Sequence, residues 1–118
     1  MRYGVLMYTD PAHTRAMSQA ALDVVAAKHE AFRNELFASG ELVGGLAFAA
    51  AEETLVLLPR GESRGGPFND RIEQLSAYYE IECASLERAR AIAARVLDDH
   101  VTAVELRRVH DTANAHRP

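Results

Sequence analysis

Cysteine and lysine are almost absent from this chain, which has one of each, Cys83 and Lys28, beside twelve arginines. A single cysteine can neither form an intramolecular disulfide nor build a cysteine-based zinc site within one chain. The net charge is -4, and the basic residues are scattered along the sequence. Nucleic-acid binding needs concentrated positive charge. We therefore expect a protein without disulfides and without a nucleic-acid partner.

Long apolar runs are also missing. No run approaches the roughly 20 residues of a membrane span, and the apolar part of the N-terminal stretch is too short for a secretory signal. The segment "GESRGG" lacks the lysine and the strand-to-helix context of a phosphate-binding loop. Asp98, Asp99 and His100 resemble a metal-ligand cluster, but such groups at a helix end are more often solvated. We therefore expect a cytoplasmic protein without membrane contact, metal or cofactor.

The apolar pattern predicts the element order β-α-β-β-β-α-β. The five strands are "RYGVLMY", "ELVGGLAFA", "ETLVLL", "EQLSAYYEIEC" and "TAVELRR". The first helix begins after Ser18 as its N-cap and ends before Gly40, and Ser85 caps the second helix, "LERARAIAARVL". The segments "TDPAHTRAM" and "PRGESRGGPFND" are predicted to be loops. Residues 1–109 are predicted to form one domain and 110–118 a polar, mobile tail.

This order predicts an α+β fold, with a ferredoxin-like antiparallel sheet that carries two helices on one face. In the fourth strand, the residues predicted to face the helices are Leu75, Ala77, Tyr79 and Ile81. The first strand is apolar on both faces, so its second face also needs a cover. A large uncovered apolar patch usually marks an interface, and a two-fold homodimer is the commonest way to close one. We therefore expect a homodimer.

The segment "GGPFNDRIEQLSAYYEIECASLERA" resembles the signature of the YCII-related family, in its branch named for an Asp-Gly-Pro-Phe motif. The segments "RYGVLMYTDPA", "HEAFRNELFASGELVGG" and "AVELR" match the family in the same order. The resemblance implies a dimeric α+β sandwich or barrel. It also implies two kinds of role: dehydrochlorinase activity on chlorinated aromatics, with a His-Asp pair as the active site, and association with sigma factors.

Two positions depart from the family pattern. Gly65 stands where the motif has its aspartate, and Ala38 stands where the wider family has an aspartate near the end of the first helix. The family histidine is matched by His29. If this histidine needs a carboxylate, Asp10 after the first strand is the nearest candidate in the sequence. The resemblance therefore implies a site built on His29, with Asp10 as its catalytic partner.

His29 also stands out without the resemblance, because it lies in the middle of an apolar helix stripe. The stripe consists of Leu22, Val25, His29, Phe32 and Leu36. A histidine there is either a general acid or base, with an unperturbed pKa near 6.5, or a core residue bonded to a backbone carbonyl. Phe68 is expected to pack at the end of the sheet, with a pocket wall as the alternative. The other candidates for ligand contact are Tyr8, Glu73 and Tyr79.

These residues leave two main hypotheses for function. The first is a dimer that binds a small molecule and performs elimination or isomerisation with His29 as acid or base. The second is a non-catalytic module that binds a ligand or a protein and serves sigma-factor regulation. Cofactor-free oxygenation is a weaker third hypothesis, because no residue marks an oxygen site.

Overall fold

The computed structural model describes residues 1–110, and within them it has six strands and three α-helices. The strands are β1 (Arg2–Thr9), β2 (Leu42–Ala47), β3 (Leu55–Leu57), β4 (Ser63–Gly65), β5 (Gln74–Glu82) and β6 (Val101–Arg108). The helices are α1 (Pro11–Ala16), α2 (Gln19–Ala38) and α3 (Leu86–Ala94). Apart from its first residue, the predicted tail at 110–118 lies outside the described residues.

Four strands form one antiparallel sheet in the order β2-β5-β1-β6. Without the short pair β3 and β4, the main elements follow as β1-α2-β2-β5-α3-β6. The first strand of this series lies between the third and the fourth, which is the arrangement of a ferredoxin-like domain. The predicted fold class is confirmed.

The central strand β1 alternates strictly between buried and half-buried residues along its length. Its buried residues pack with β5 in one cluster, which includes Tyr3, Val5, Met7, Tyr79 and Ile81. The two long helices add apolar side chains to the same cluster, namely Phe32, Leu36, Ala89, Ile92 and Ala93. Both helices therefore cover one face of the sheet. Full burial of each large aliphatic side chain here contributes about 1.5 to 3 kcal/mol.

The caps of the two long helices are placed as the sequence predicts. The Ser18 hydroxyl accepts a hydrogen bond from the Ala21 amide at 3.1 Å, and the Ser85 hydroxyl accepts one from the Arg88 amide at 3.1 Å. Gly40 follows α2 with a φ of 78°, a conformation that costs glycine little because it has no Cβ. These side chains satisfy amides that the first helical turn leaves without partners.

Two helix predictions need correction. The segment after β1 is not all loop, because Pro11–Ala16 forms α1, in which Asp10 is the N-cap and proline occupies the first turn. A proline there loses no helical hydrogen bond, which favours a helix start. The second long helix ends at Ala94 instead of Leu97. The reason is that residues 95–97 donate to carbonyls three positions earlier, as in a tightened last turn.

The predicted third strand is also corrected. Only Leu55–Leu57 forms a strand, and it pairs with β4 in a separate hairpin rather than with the main sheet. Part of the predicted loop is therefore β4. The turn closes where the Leu58 amide donates to the Glu62 carbonyl at 2.8 Å, with Gly61 at a φ of 76°. The hairpin buries Val56 on one face and leaves the neighbouring Leu55 and Leu57 exposed on the other.

An ion pair joins α3 to the turn that precedes β2. Arg88 donates to the Glu41 carboxylate from Nε and Nη2, each at 2.8 Å, and the Ser39 hydroxyl donates to it as well. These hydrogen bonds, that of Arg88 above all, lower the pKa of Glu41 to about 2 against the opposing effect of burial. The two helices are thus linked at the end of the sheet away from β1's C-terminus.

Over residues 1–110, none of the helices combines the length and apolarity needed to cross a membrane.

Candidate functional site

A cavity of about 750 Å³ lies between α2 and the sheet, beside the edge strand β2. Its walls come from β1, α1, α2, β2, β5, the segment 48–52 and the start of β6. Small residues dominate one wall, namely Gly44, Gly45, Ala47, Ala49, Ala50, Ala51 and Ala77. Glycine and alanine occupy little of the space beside them. The sequence "GGLAFAAA" therefore keeps this space open where bulkier residues would fill it.

The apolar stripe of α2 has two parts, one packed in the core and one exposed to the cavity. Its C-terminal part, Phe32 and Leu36, is buried in the core. Its N-terminal part, Val25 and His29, is half-buried and lines the cavity. Periodicity alone shows only that the stripe faces the sheet. The small residues of the facing wall decide which part of it packs and which part remains accessible.

His29 lies in the cavity wall, and among the described residues its hydrogen-bond partner is Tyr79. Nδ1 of His29 is 3.1 Å from the Tyr79 hydroxyl, and Tyr79 is itself 5% exposed and packed against Phe32. Burial lowers the pKa of His29, and the neighbouring Lys28 and Arg33 lower it further, while Asp98 opposes them. The ring is therefore neutral at neutral pH. With Nδ1 engaged by Tyr79, Nε2 is the nitrogen available to a ligand.

A second histidine, His100, lines the same cavity. Its Nδ1 is buried and has no hydrogen-bond partner among residues 1–110. Burial lowers its pKa, so this ring is also neutral. Asp98 fixes the backbone here, because its Oδ1 accepts the amides of His100 at 2.8 Å and Val101 at 2.6 Å. The other oxygen of Asp98 pairs with Lys28 Nζ at 2.6 Å, which ties this turn to α2 next to His29.

Three charged side chains complete the cavity wall. Arg15 of α1 pairs with Glu52 of the segment 48–52, so these two charges offset each other. Arg33 of α2 is exposed and has neither ion pair nor hydrogen bond within the described part of the chain. With both histidines neutral, the cavity wall carries a net positive charge in a chain whose net charge is -4.

The predicted catalytic pair is not formed. Within residues 1–110, Asp10 makes neither a hydrogen bond nor an ion pair with His29; its Oδ1 accepts the Ala12 amide at 2.9 Å and caps α1. The carboxylate that acts electrostatically on the His29 ring is Asp98. Asp10 was favoured by its position in the sequence. In the structure, the start of β6 pairs with the end of β1, and this pairing brings Asp98 and His100 to the site.

Of the residues predicted to contact a ligand, Tyr79 lines the cavity and three others do not. The Tyr8 hydroxyl donates to the Glu105 carboxylate on the opposite face of the sheet. Glu73 is half-buried outside the cavity. The expectation that Phe68 packs at the end of the sheet is wrong for the single chain, because the ring is 68% exposed. Arg64 holds this loop instead, donating to the carbonyls of Pro67 and Phe68.

The sequence interpretation missed His100, Arg33 and the segment 48–52. Arg33 carried a usable signal, because it lies four residues after His29 and so shares its side of the helix. His100 carried a signal only once the strand order was known, since Val101 pairs with Thr9 at the end of β1.

Among residues 1–110, no group of three His, Cys, Asp or Glu side chains is placed to hold a metal ion.

The fold and the site together define an α+β domain of ferredoxin-like topology with an accessible, histidine-lined cavity under its helices. Comparison with known families gives a match to the YCII-related domain over residues 1–111. This match spans nearly the whole chain, which therefore belongs to the YCII-related family. No curated protein matches the chain significantly. The finer assignment to the branch named for Asp-Gly-Pro-Phe stays a prediction.

Proposed function

We propose that this chain binds a small organic molecule in the cavity and that His29 moves a proton to or from it. The observation that carries the proposal is a neutral histidine in the cavity wall whose Nδ1 is held by a buried tyrosine hydroxyl. The volume of about 750 Å³ falls in the range of roughly 300 to 1,000 Å³ that is usual for ligand sites. A neutral imidazole can accept a proton at neutral pH.

The reaction proposed is an elimination or an isomerisation. Nε2 of His29 takes a proton from a ligand carbon next to an electron-withdrawing group, and the electrons of that C–H bond form a double bond. In an elimination, the leaving group departs from the adjacent carbon with its electron pair. In an isomerisation, Nε2 returns the proton to a different carbon. Throughout, Nδ1–H donates to the Tyr79 hydroxyl, which holds the orientation of the ring.

Non-catalytic binding is the second candidate, and the partner of His29 favours it. That partner is a tyrosine hydroxyl, which stabilises an imidazolium less than a carboxylate would. The domain would then bind its ligand without changing it. Such a module fits the sigma-factor association that the family resemblance implies.

Hydrogen exchange in deuterated water tests both candidates. Small carbonyl and aromatic compounds that bind, as shown by ligand-observed NMR, are followed for loss of their C–H signals. We expect His29→Gln to retain binding and lose exchange, and His13→Gln, at an exposed residue of α1 outside the cavity, to retain both. Binding without exchange in the wild type would support the second candidate against the first. Exchange that persists in His29→Gln would contradict the role of His29.

We further propose that two copies of the chain associate through the sheet face that carries no helices. Leu6 of β1 and Leu46 of β2 both lie opposite Tyr78 of β5 on that face. Phe48 adjoins them, with its ring centroid 6.3 Å from that of Tyr78. Leu46 and Phe48 are about half exposed in the single chain. An apolar patch of this kind is typical of an interface.

A further inference from the structure

The charges of the cavity wall indicate what kind of ligand it holds. Arg15 and Glu52 pair with each other, and the two histidines are neutral. Arg33 is thus the cation left over, with neither ion pair nor hydrogen bond to the rest of residues 1–110. An arginine that lines a cavity and has no protein partner presents its donors to whatever enters that cavity.

The position of Arg33 relates this charge to the proposed reactive group. Val25, His29 and Arg33 follow one another at intervals of four residues, so α2 presents an apolar, an imidazole and a guanidinium side chain in a row. All three line the cavity. Arg33 is near enough to act electrostatically on the His29 ring. The facing wall is built from small and aliphatic residues such as Leu42, Ala47 and Ala77.

We propose that the ligand is a small organic acid whose carboxylate binds the Arg33 guanidinium while its apolar body lies against the facing wall. The planar guanidinium presents two parallel N–H donors that match the two oxygens of a carboxylate. This places the carbon atoms next to the carboxylate near His29. The inference rests on the proposed function, because it assumes that the cavity binds a ligand.

Benzoate and benzamide are matched probes, because they have the same shape and differ in charge. Their binding to the full chain is measured by ligand-observed NMR titration at neutral pH. We expect benzoate to bind about tenfold more tightly than benzamide, as hydrogen bonds to a charged group predict. Arg33→Met should abolish the preference, and Arg33→Lys should retain part of it. Arg90→Met, which removes an exposed charge on α3 outside the cavity, should leave the preference unchanged.

Each other outcome overturns a defined part of the reasoning. Equal binding of the two probes to the wild type would overturn the preference for an acid and leave the cavity as a binding site. A preference that persists in Arg33→Met, in a variant whose circular dichroism shows it folded, would overturn the assignment to Arg33. Failure of both probes to bind at millimolar concentration would contradict the proposed function together with this inference.

Discussion

Gly45 of β2 is a position where the neighbouring strand β5 leaves no room for a side chain. A Cβ built there would lie 2.5 Å from the Tyr78 carbonyl oxygen and 2.8 Å from Cδ1 of Tyr79. The first distance is roughly 1 Å shorter than a van der Waals contact, and it involves backbone that cannot rotate away. Gly45→Ala must therefore push β2 away from β5. Because Tyr79 holds His29, the same shift should disturb the candidate site.

Overpacking usually costs about 1 to 3 kcal/mol, and a clash with backbone falls toward the upper end of that range. We expect Gly45→Ala to lower the free energy of unfolding by about 2 to 3 kcal/mol. For a chain of this size, this corresponds to a melting temperature roughly 6 to 15 °C lower. Thermal unfolding followed by circular dichroism measures the change.

The neighbouring glycine supplies the control for this experiment. A Cβ at Gly44 would meet no atom within 4 Å, so Gly44→Ala should change stability by less than about 0.5 kcal/mol or increase it slightly. If the two alanine variants melt at the same temperature, this result would contradict the close approach of β2 to β5 at Gly45.

Two further predictions concern pH and assembly. Burial lowers the pKa of both His29 and His100 in the folded chain. On acidification, the unfolded chain therefore takes up protons at a higher pH than the folded chain does. The contribution of these two histidines to the free energy of unfolding should be fully present above about pH 6.5 and decrease below it. The slope should stay under about 1.4 kcal/mol per pH unit for each histidine, because each ring binds at most one proton. Urea unfolding at pH 7.5 and 5.5 should show a smaller loss for His29→Gln than for the wild type, and an equal loss would contradict the lowered pKa. For assembly, light scattering at micromolar concentration should give twice the 13.0 kDa of one chain. Tyr78→Glu should shift the particle toward one chain, and a wild-type particle of 13.0 kDa would refute the proposed dimer.

Local signals were sufficient for most of the fold. Serine caps, Gly40 and the compact apolar run of β1 act within a few residues, so the sequence predicts the elements that they begin, end or form. The hairpin of β3 and β4 was missed for the opposite reason. The segment 59–70 is rich in glycine and proline, which favours a loop locally, while the pairing of Leu55–Leu57 with Ser63–Gly65 depends on a turn that only the whole structure shows.

The site was less predictable, because it depends on which elements become neighbours. His29 and Tyr79 are 50 positions apart, and both were candidates for separate reasons, without an indication that they touch. His100 was interpreted as a solvated residue at a helix end. It enters the cavity because β6 lies beside β1 in the sheet. Chemistry-bearing residue types can be recognised from sequence, whereas their grouping requires the strand order.

The two aspartates that the family resemblance implies, at the positions of Ala38 and Gly65, would not act on His29 within one chain. Ala38 lies nine residues after His29 on the same helix, which corresponds to roughly 13 Å along the axis, so a carboxylate at that position could not contact the His29 ring within one chain. Gly65 lies in the exposed hairpin strand β4, outside the cavity wall. Neither substitution therefore removes a partner of His29 inside this chain. The position that a carboxylate would occupy beside Nδ1 is taken by the Tyr79 hydroxyl. Because a hydroxyl stabilises a protonated ring less than a carboxylate does, His29 is expected to be a weak base, suited to ligands whose C–H bond is already acidified by an adjacent group.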